Sequence, residues 1–373
     1  MKVGLADAAI APQWLTRWNQ AMAVAGGASS LWVPDHLINV LPRALWKRQY
    51  NGMSAVVPRA DGFLEPATLL GWLAAKNRLT RLQLGTSVTD AGRRNPAVTA
   101  QAFATLHLLT RGRAILGIGT GERENNAPYG VPWDRPVARF EEAVTVIRQL
   151  WASDGRPVSR PGEFFPLHDA VFDVPTYRGT RPPIWIAAHG PRMLNITGRM
   201  ADGWMPAWPQ TAKVYGERLG TIRDAAADAG RSPAELVGSG WFFVITGPTR
   251  GIVEDLLDSP LARALALSIP AEEWPRFGGE HPCGPEFTGL QDLLPHLFDE
   301  ATALEYGRRV PDGLLRESFF TGTPSEVVEQ FAEYRDQGLQ HPILLNAAPY
   351  FRLFKSAPSH ACLVQVMRQL RRL

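Results

Sequence analysis

The chain holds two cysteines in 373 residues, Cys283 and Cys362, far apart. That leaves no disulfide framework and no cysteine-based metal spacing, and it fits a reducing cytoplasm. No apolar run approaches the roughly 20 residues needed to span a bilayer. The N-terminal stretch from Met1 to Asp7 lacks the long apolar segment of a signal peptide and reads as a first strand. Lysine and arginine are scattered and the net charge is only +3, so a nucleic-acid partner is not expected. There is no internal repeat and no low-complexity tract. What the chain does have is a composition for a large core, with 45% hydrophobic and 20% charged residues. Its 12 tryptophans are many, and point to a thick core, an apolar ligand, or both.

Short apolar strands alternate with helical stretches throughout. Strands are expected near residues 2–6, 30–33, 82–88, 113–118, 184–187, 202–205, 240–245 and 342–346, each bounded by turn chemistry. Asn95 is placed to cap a helix starting at Pro96, and Asp134 to cap the next, with Pro136 in its first turn. In that second helix Val137, Phe140, Val144, Ile147 and Trp151 form one amphipathic face. Pro324, after Thr323, opens another with Val327, Val328, Phe331 and Tyr334 on one side. Eight strand–helix units in series predict a (β/α)8 TIM barrel rather than an open sheet. The expected organisation is a single domain over 1–373, interrupted near 37–62, 153–181 and 251–316.

In such a barrel, chemistry gathers at the C-terminal ends of the strands. Read in order, those ends present Asp7, then Asp35-His36, then Ser87-Val88-Thr89-Asp90, then Glu122, then Ala188-His189-Gly190, then Trp204, with Trp241 along the seventh strand. The fourth strand runs into Gly117, Gly119 and Gly121. Its spacing is G-x-G-x-G, not the G-x-G-x-x-G of a dinucleotide loop, and a polar loop follows where that motif needs a helix. Glycines there let Glu122 approach a ligand closely; the plainer reading of Glu122 is a loop acid paired with Arg123. His36 is suited to proton transfer near neutral pH, against a plain Asp-His capping pair. Asp7 alone is more typical of a turn. The loop Ala187–Pro191 precedes a helix whose first N–H groups suit a phosphate, although such loops are often structural. Trp46, Trp133, Trp204 and Trp208, with Tyr50 and Phe63, are candidates to line an apolar substrate pocket or to pack between loops.

Five motifs occur in order: Leu31 to His36, Leu84 to Val88, Asn95 to Gln101, Gly117 to Glu122, and Ile186 to Pro191 leading to Gly203. As an ordered set they resemble the luciferase-like flavin and deazaflavin oxidoreductases, and within them the branch that uses coenzyme F420. Asp90 to Gln101, Leu106 to Leu116, Glu122 to Glu124, Pro136 to Glu142 and Ala187 to Leu194 look like a narrower group, the mycobacterial ketoreductases of phthiodiolone dimycocerosates. The resemblance implies hydride transfer from reduced F420 to the ketone of a long-chain lipid, giving a secondary alcohol. It implies His36 and Glu122 as the catalytic pair. Asp35, Ser87, Val88, Thr89, Asn125, Ala187, Ala188, His189 and Gly190 would hold the cofactor, with a non-prolyl cis peptide at Ser87-Val88. Asp7, Trp46, Trp133, Trp204, Trp208 and Trp241 would form the substrate pocket, with no metal. A homodimer is expected, cytoplasmic or peripheral to the membrane. One departure matters. Sugar-phosphate dehydrogenases of this branch carry lysines after the sixth strand, whereas Trp204 to Pro209 has no cation before Lys213, which favours an apolar substrate. The alternatives are an FMN-dependent monooxygenase of the same fold, the reverse oxidation of a lipid alcohol, and a non-catalytic F420-binding protein.

Overall fold

The computed structural model describes residues 1–77, 79–208, 211–352 and 356–373. Strands and helices alternate as β1 (Gly4–Ala6), α1 (Trp14–Gly26), β2 (Ser30–Val33), α2 (Pro66–Lys76), β3 (Gln83–Thr86), α3 (Pro96–Leu109), β4 (Ala114–Gly119) and α4 (Pro136–Ala152). The second half continues as β5 (Ile184–Ile186), α5 (Pro191–Met200), β6 (Gly203–Trp204), α6 (Ala212–Asp228), β7 (Val237–Thr246), α7 (Pro324–Asp336), β8 (His341–Asn346) and α8 (Ala357–Leu370). Each strand pairs in parallel with the next, and β8 pairs with β1 through Gly4 opposite Ile343. The sheet is thus a closed eight-stranded barrel inside a ring of helices, as the alternation predicts. All eight expected strands are present. A further short strand, Phe320–Gly322, pairs on the outer end of β7.

Local chemistry starts the helices. Asn95 accepts the Ala97 N–H at 2.9 Å, and Thr323 with Glu326 forms a reciprocal capping box. Asp134 does not cap α4. The cap position falls one residue later, on Arg135 in the left-handed region (φ 44°), and the Asp134 carboxylate instead meets Arg139 at 3.3 Å.

The barrel interior is filled by indoles. Trp32 and Trp185 pack with ring centroids 5.0 Å apart, with His341 edge-on to both. The neighbouring strands make room by lacking a Cβ at the paired position. One on Gly85 would stand 2.5 Å from the Trp32 ring, and one on Gly203 would stand 2.7 Å from Trp185. The polar atoms of this plug satisfy each other: Trp32 Nε1 donates to Ser30 Oγ at 2.7 Å, which lies 2.8 Å from His341 Nε2. Burial, then the charge of Lys2, pushes His341 down to about 3, so its neutral ring takes the Ser30 proton as acceptor.

The interruptions divide between the two barrel ends. The segment 153–181 holds an antiparallel pair, Val158–Arg160 with Leu167–Ala170, and Phe172 joins the main core. The segments near 37–62 and 251–316 build a second core over the C-terminal ends of the strands. In it Leu41 and Leu45 meet Leu256, Leu265 and Trp274 above Phe243 and Ile245 of β7. Among the described residues, no helix is long and apolar enough to cross a membrane.

The glycines of β4 serve the strand beside them. A Cβ on Gly117 would stand 1.9 Å from the Thr86 carbonyl oxygen, and one on Gly119 2.9 Å from the Val88 side chain. Gly121 has φ +83° and lies against the Asp90 carboxylate. The β3 exit packs into part of the room they make. Gly117→Ala is therefore expected to cost about 3 kcal/mol or more by forcing β3 and β4 apart. Gly220→Ala on α6, where no atom lies within 4 Å, should stay within about 1 kcal/mol on the stabilising side. Denaturant unfolding of the two variants compares them directly, and equal stabilities would refute the packing argument.

Candidate active site

A cavity of about 800 Å³ opens at the C-terminal end of the barrel. Asp7, Asp35, His36, Ser87, Val88, Glu122 and Asn125 line one part of it, with Ala187, Ala188, His189 and Gly190 beside them. Trp208 and Trp241 line another part, with Phe243, Leu265 and Ile269.

One amide organises the polar end. Asn125 Oδ1 accepts two backbone N–H groups, from Leu37 at 2.6 Å and Ile38 at 3.1 Å. Its orientation is thereby fixed, and Nδ2 faces three acceptors: Glu122 Oε2 at 2.9 Å, His36 Nδ1 at 3.0 Å and Glu124 Oε1 at 3.4 Å. His36 Nδ1 also lies 3.3 Å from Glu122 Oε2. Two of the three, His36 and Glu122, are the pair expected from the sequence. Glu124 is not. Read as one polar residue in a polar loop, it is fully buried, and its Oε2 has no partner. Burial first, then the charges of Glu122 and Asp61, raise it well above the usual carboxylate range.

Asp35 is committed elsewhere. Both Arg93 and Arg94 pair with its carboxylate, and Thr89 Oγ1 donates to it at 2.6 Å. Burial alone would raise Asp35, but Arg93 and Arg94 outweigh it and hold the carboxyl below its ordinary value. Thr89 is buried behind Asp35 and does not line the cavity. The adjacent arginines Arg93-Arg94, just before the Asn95 cap, were the overlooked signal for this clamp. Ser87-Val88 is a cis peptide, and the Ser87 Oγ is buried without a partner. His189, also at the cavity, is exposed. Nothing lies within 4 Å of where a Cβ on Gly190 would be, so the start of α5 is open.

The apolar end is aromatic. Phe243 lies 4.7 Å from Trp208 and 4.5 Å from Trp241, centroid to centroid, and neither indole N–H has a partner. Three expected pocket tryptophans lie elsewhere. Trp204 faces the helix layer, because strand residues alternate and its neighbour Met205 takes the inward position. It stacks on Tyr215 and donates to the Ala188 carbonyl at 2.9 Å, supporting the loop from behind. Trp46 donates to the Val57 carbonyl at 2.8 Å and packs within the loop layer. Trp133 sits half-exposed in the loop before α4, outside the cavity.

Asp7 is also buried beside the cavity. Its Oδ1 accepts from the Ala9 N–H at 2.6 Å and from Thr16 Oγ1 at 3.3 Å, while Oδ2 has no partner. Burial pushes it up to about 6 against those hydrogen bonds.

Residues 20–341 match the family of luciferase-like monooxygenases. The phthiodiolone/phenolphthiodiolone dimycocerosates ketoreductase of Mycobacterium sp. (strain JLS) is 50% identical over 371 residues, 99% of this chain and 97% of that one. The F420-dependent glucose-6-phosphate dehydrogenase of Kineococcus radiotolerans is 39% identical over 218 residues, 56% of this chain and 57% of that one. A solved F420-dependent secondary alcohol dehydrogenase, in complex with an F420-acetone adduct, shares the fold. Its TM-score is 0.73 at 19% identity, covering 98% of each chain.

The Asp7 carboxyl yields a pH test. A raised acid is held neutral by the fold, so its contribution is complete below the ordinary value of 3.8 and is lost as pH rises through about 6. Asp7→Asn removes this loss. Relative to the parent, the variant should gain stability between about pH 4 and pH 6 and then plateau, the total gain being roughly 2–3 kcal/mol. Chemical denaturation at several pH values reads the gap, and a gap independent of pH would exclude a buried titrating Asp7.

Proposed function

The chain belongs to the luciferase-like monooxygenase family, and from that footing we propose that it is an F420-dependent ketoreductase acting on the ketone of a long apolar lipid. The observation that carries this reading is one cavity with two chemistries. A fixed His36–Asn125–Glu122 cluster stands at one end and an aromatic wall of Trp208, Trp241 and Phe243 at the other.

The residues present suit a deazaflavin. The Ser87 Oγ offers a buried, unpartnered polar atom beside the cis peptide. The open backbone at Gly190 and the start of α5 suits a phosphate group. Arg93 and Arg94 neutralise Asp35, so the cavity floor carries no free charge from that residue. On the substrate side, the described stretch Trp204 to Trp208 holds no cation, which suits an apolar molecule better than a sugar phosphate. The ketoreductase relative, named for a lipid ketone, points the same way.

Reduced F420, when bound, supplies a hydride to the ketone carbon. The chain supplies the rest. His36 donates a proton to the ketone oxygen as negative charge grows on it. Asn125 keeps the imidazole at a set angle, since its own amide is pinned by Leu37 and Ile38. Glu122 accepts from the same amide and lies 3.3 Å from the imidazole Nδ1, so the three side chains are held as one unit. The aromatic wall orients the acyl chain and excludes water.

Binding of the apo-protein to F420, FMN and NADPH separates the cofactors, and tight FMN binding without F420 binding would overturn the reading. His36→Ala should lower kcat for ketone reduction about 10²–10⁴-fold, with the F420 affinity nearly unchanged. Unaltered single-turnover reduction in that variant would remove His36 from the chemistry. Trp241→Ala should raise KM for a long-chain ketone about tenfold, the scale of one lost apolar contact, while sparing a short one.

A further inference from the structure

Proton counting around Asn125 leads one step beyond that reading. The amide has two hydrogens and faces three acceptors. It cannot turn to offer its oxygen, because Oδ1 is held by two backbone N–H groups. The shorter contacts, 2.9 Å to Glu122 and 3.0 Å to His36 Nδ1, take the two hydrogens. Glu124 Oε1, at 3.4 Å, is left over, and its Oε2 has no partner at all. A carboxylate with neither oxygen properly hydrogen-bonded is costly in a fully buried place. The groups that face it are two acids, Glu122 and Asp61, the latter paired with Arg43; the His36 ring, cationic only if protonated; and Tyr129, which Arg43 and Arg93 also face. The cluster presents amide hydrogens to its centre, so its remaining vacancy suits a proton rather than a cation.

The His36 tautomer gives that proton a task. Accepting from Asn125 at Nδ1 leaves the ring hydrogen on Nε2. A neutral imidazole is a poor acid from that nitrogen unless Nδ1 gains a proton as Nε2 loses one. Glu124 Oε1 lies 3.9 Å from Nδ1, on the side away from solvent. We propose that Glu124 is the proton store behind His36, keeping its carboxyl proton in the resting enzyme and passing it to Nδ1 as Nε2–H protonates the substrate oxygen.

The balance closes. The ketone carbon receives a hydride from the reduced deazaflavin, and the ketone oxygen receives the Nε2 proton of His36. Glu124 closes on Nδ1 from 3.9 Å, and its O–H bond breaks as Nδ1–H forms. The Asn125 hydrogen that Nδ1 had accepted passes to the carboxylate left at Glu124 Oε1, 3.4 Å from Nδ2, and the ring ends neutral as the opposite tautomer. Return of that proton to Glu124 and uptake of one at Nε2 from water restore the site. Glu124 touches neither substrate nor cofactor, and is a positioning and proton-supplying residue.

This step rests on the proposed ketone reduction, but its first test does not. In the apo-protein with labelled glutamate carboxyls, infrared difference spectra of parent against Glu124→Gln should show a protonated, buried carboxylic acid at neutral pH that the variant lacks. A carboxylate signal there instead would overturn the proposal. In turnover, Glu124→Gln keeps the shape and neutrality of the acid but has no proton to release. It should fold, bind F420 and keep its KM, while kcat falls about 100-fold, the lower end of the range for a lost proton transfer. Glu124→Asp should recover part of the loss. A merely structural Glu124 predicts unchanged kcat in the glutamine variant, which would overturn the relay. Failure of the ketoreductase reading looks different: the parent itself would not oxidise reduced F420 with any ketone, whatever the infrared spectrum shows.

Discussion

The site depends on the carboxamide of Asn125. Its oxygen binds the backbone just after His36, and its nitrogen binds the side chains of His36 and Glu122. A single planar group therefore sets the distance between the exits of β2 and β4, and with it the geometry of the proposed acid–base pair. Arg93 reinforces the same join, reaching both the Asp35 carbonyl at 2.8 Å and the Asn125 carbonyl at 3.3 Å. Short, backbone-anchored contacts of this sort hold a catalytic constellation more firmly than long side chains pairing across water.

Beneath the site, the barrel is held open by size matching. Two indoles and one imidazole fill its interior, and glycines on the adjacent strands give the indoles room. The polar atoms among them form a closed chain from Trp32 through Ser30 to His341, so the plug carries no unmet donor there. The floor under the cavity is thus densely packed, with Asp7, His36 and Glu122 at the strand exits above it. Several glycines and tryptophans that invite a functional reading are spent on this packing.

The alternation of strands and helices was legible because period and turn chemistry are local properties. Each expected strand lies within a few residues of its observed place, and Asn95 caps as expected. The exits were legible too, since barrel topology sends Asp7, His36, Ser87 and Glu122 to one end whatever the details. What escaped depends on direction and distance. Trp204 and Met205 are adjacent, and only the pleat decides which one faces inward. Glu124 sits in a run of charged and amide residues, where burial has no sequence mark. The glycine run also serves the packing of Thr86, Val88 and Asp90, contacts that no spacing in the sequence announces. Asp134 missed its cap by one residue, because Arg135 takes a left-handed turn that a non-glycine rarely adopts.

The layer over the cavity is made from distant parts of the chain. Leu41 and Leu45 are covered by residues from Leu256 onward, and the Tyr50 hydroxyl donates at 2.8 Å to Glu300, 250 positions later. The barrel itself closes only when β8 reaches β1. On a ribosome that delivers the chain from its N-terminus, the early loop must wait, its leucines uncovered, until nearly all of the protein has emerged. The mouth of the candidate site is accordingly completed late in synthesis, and a product cut short before Leu256 has the His36 exit without a roof.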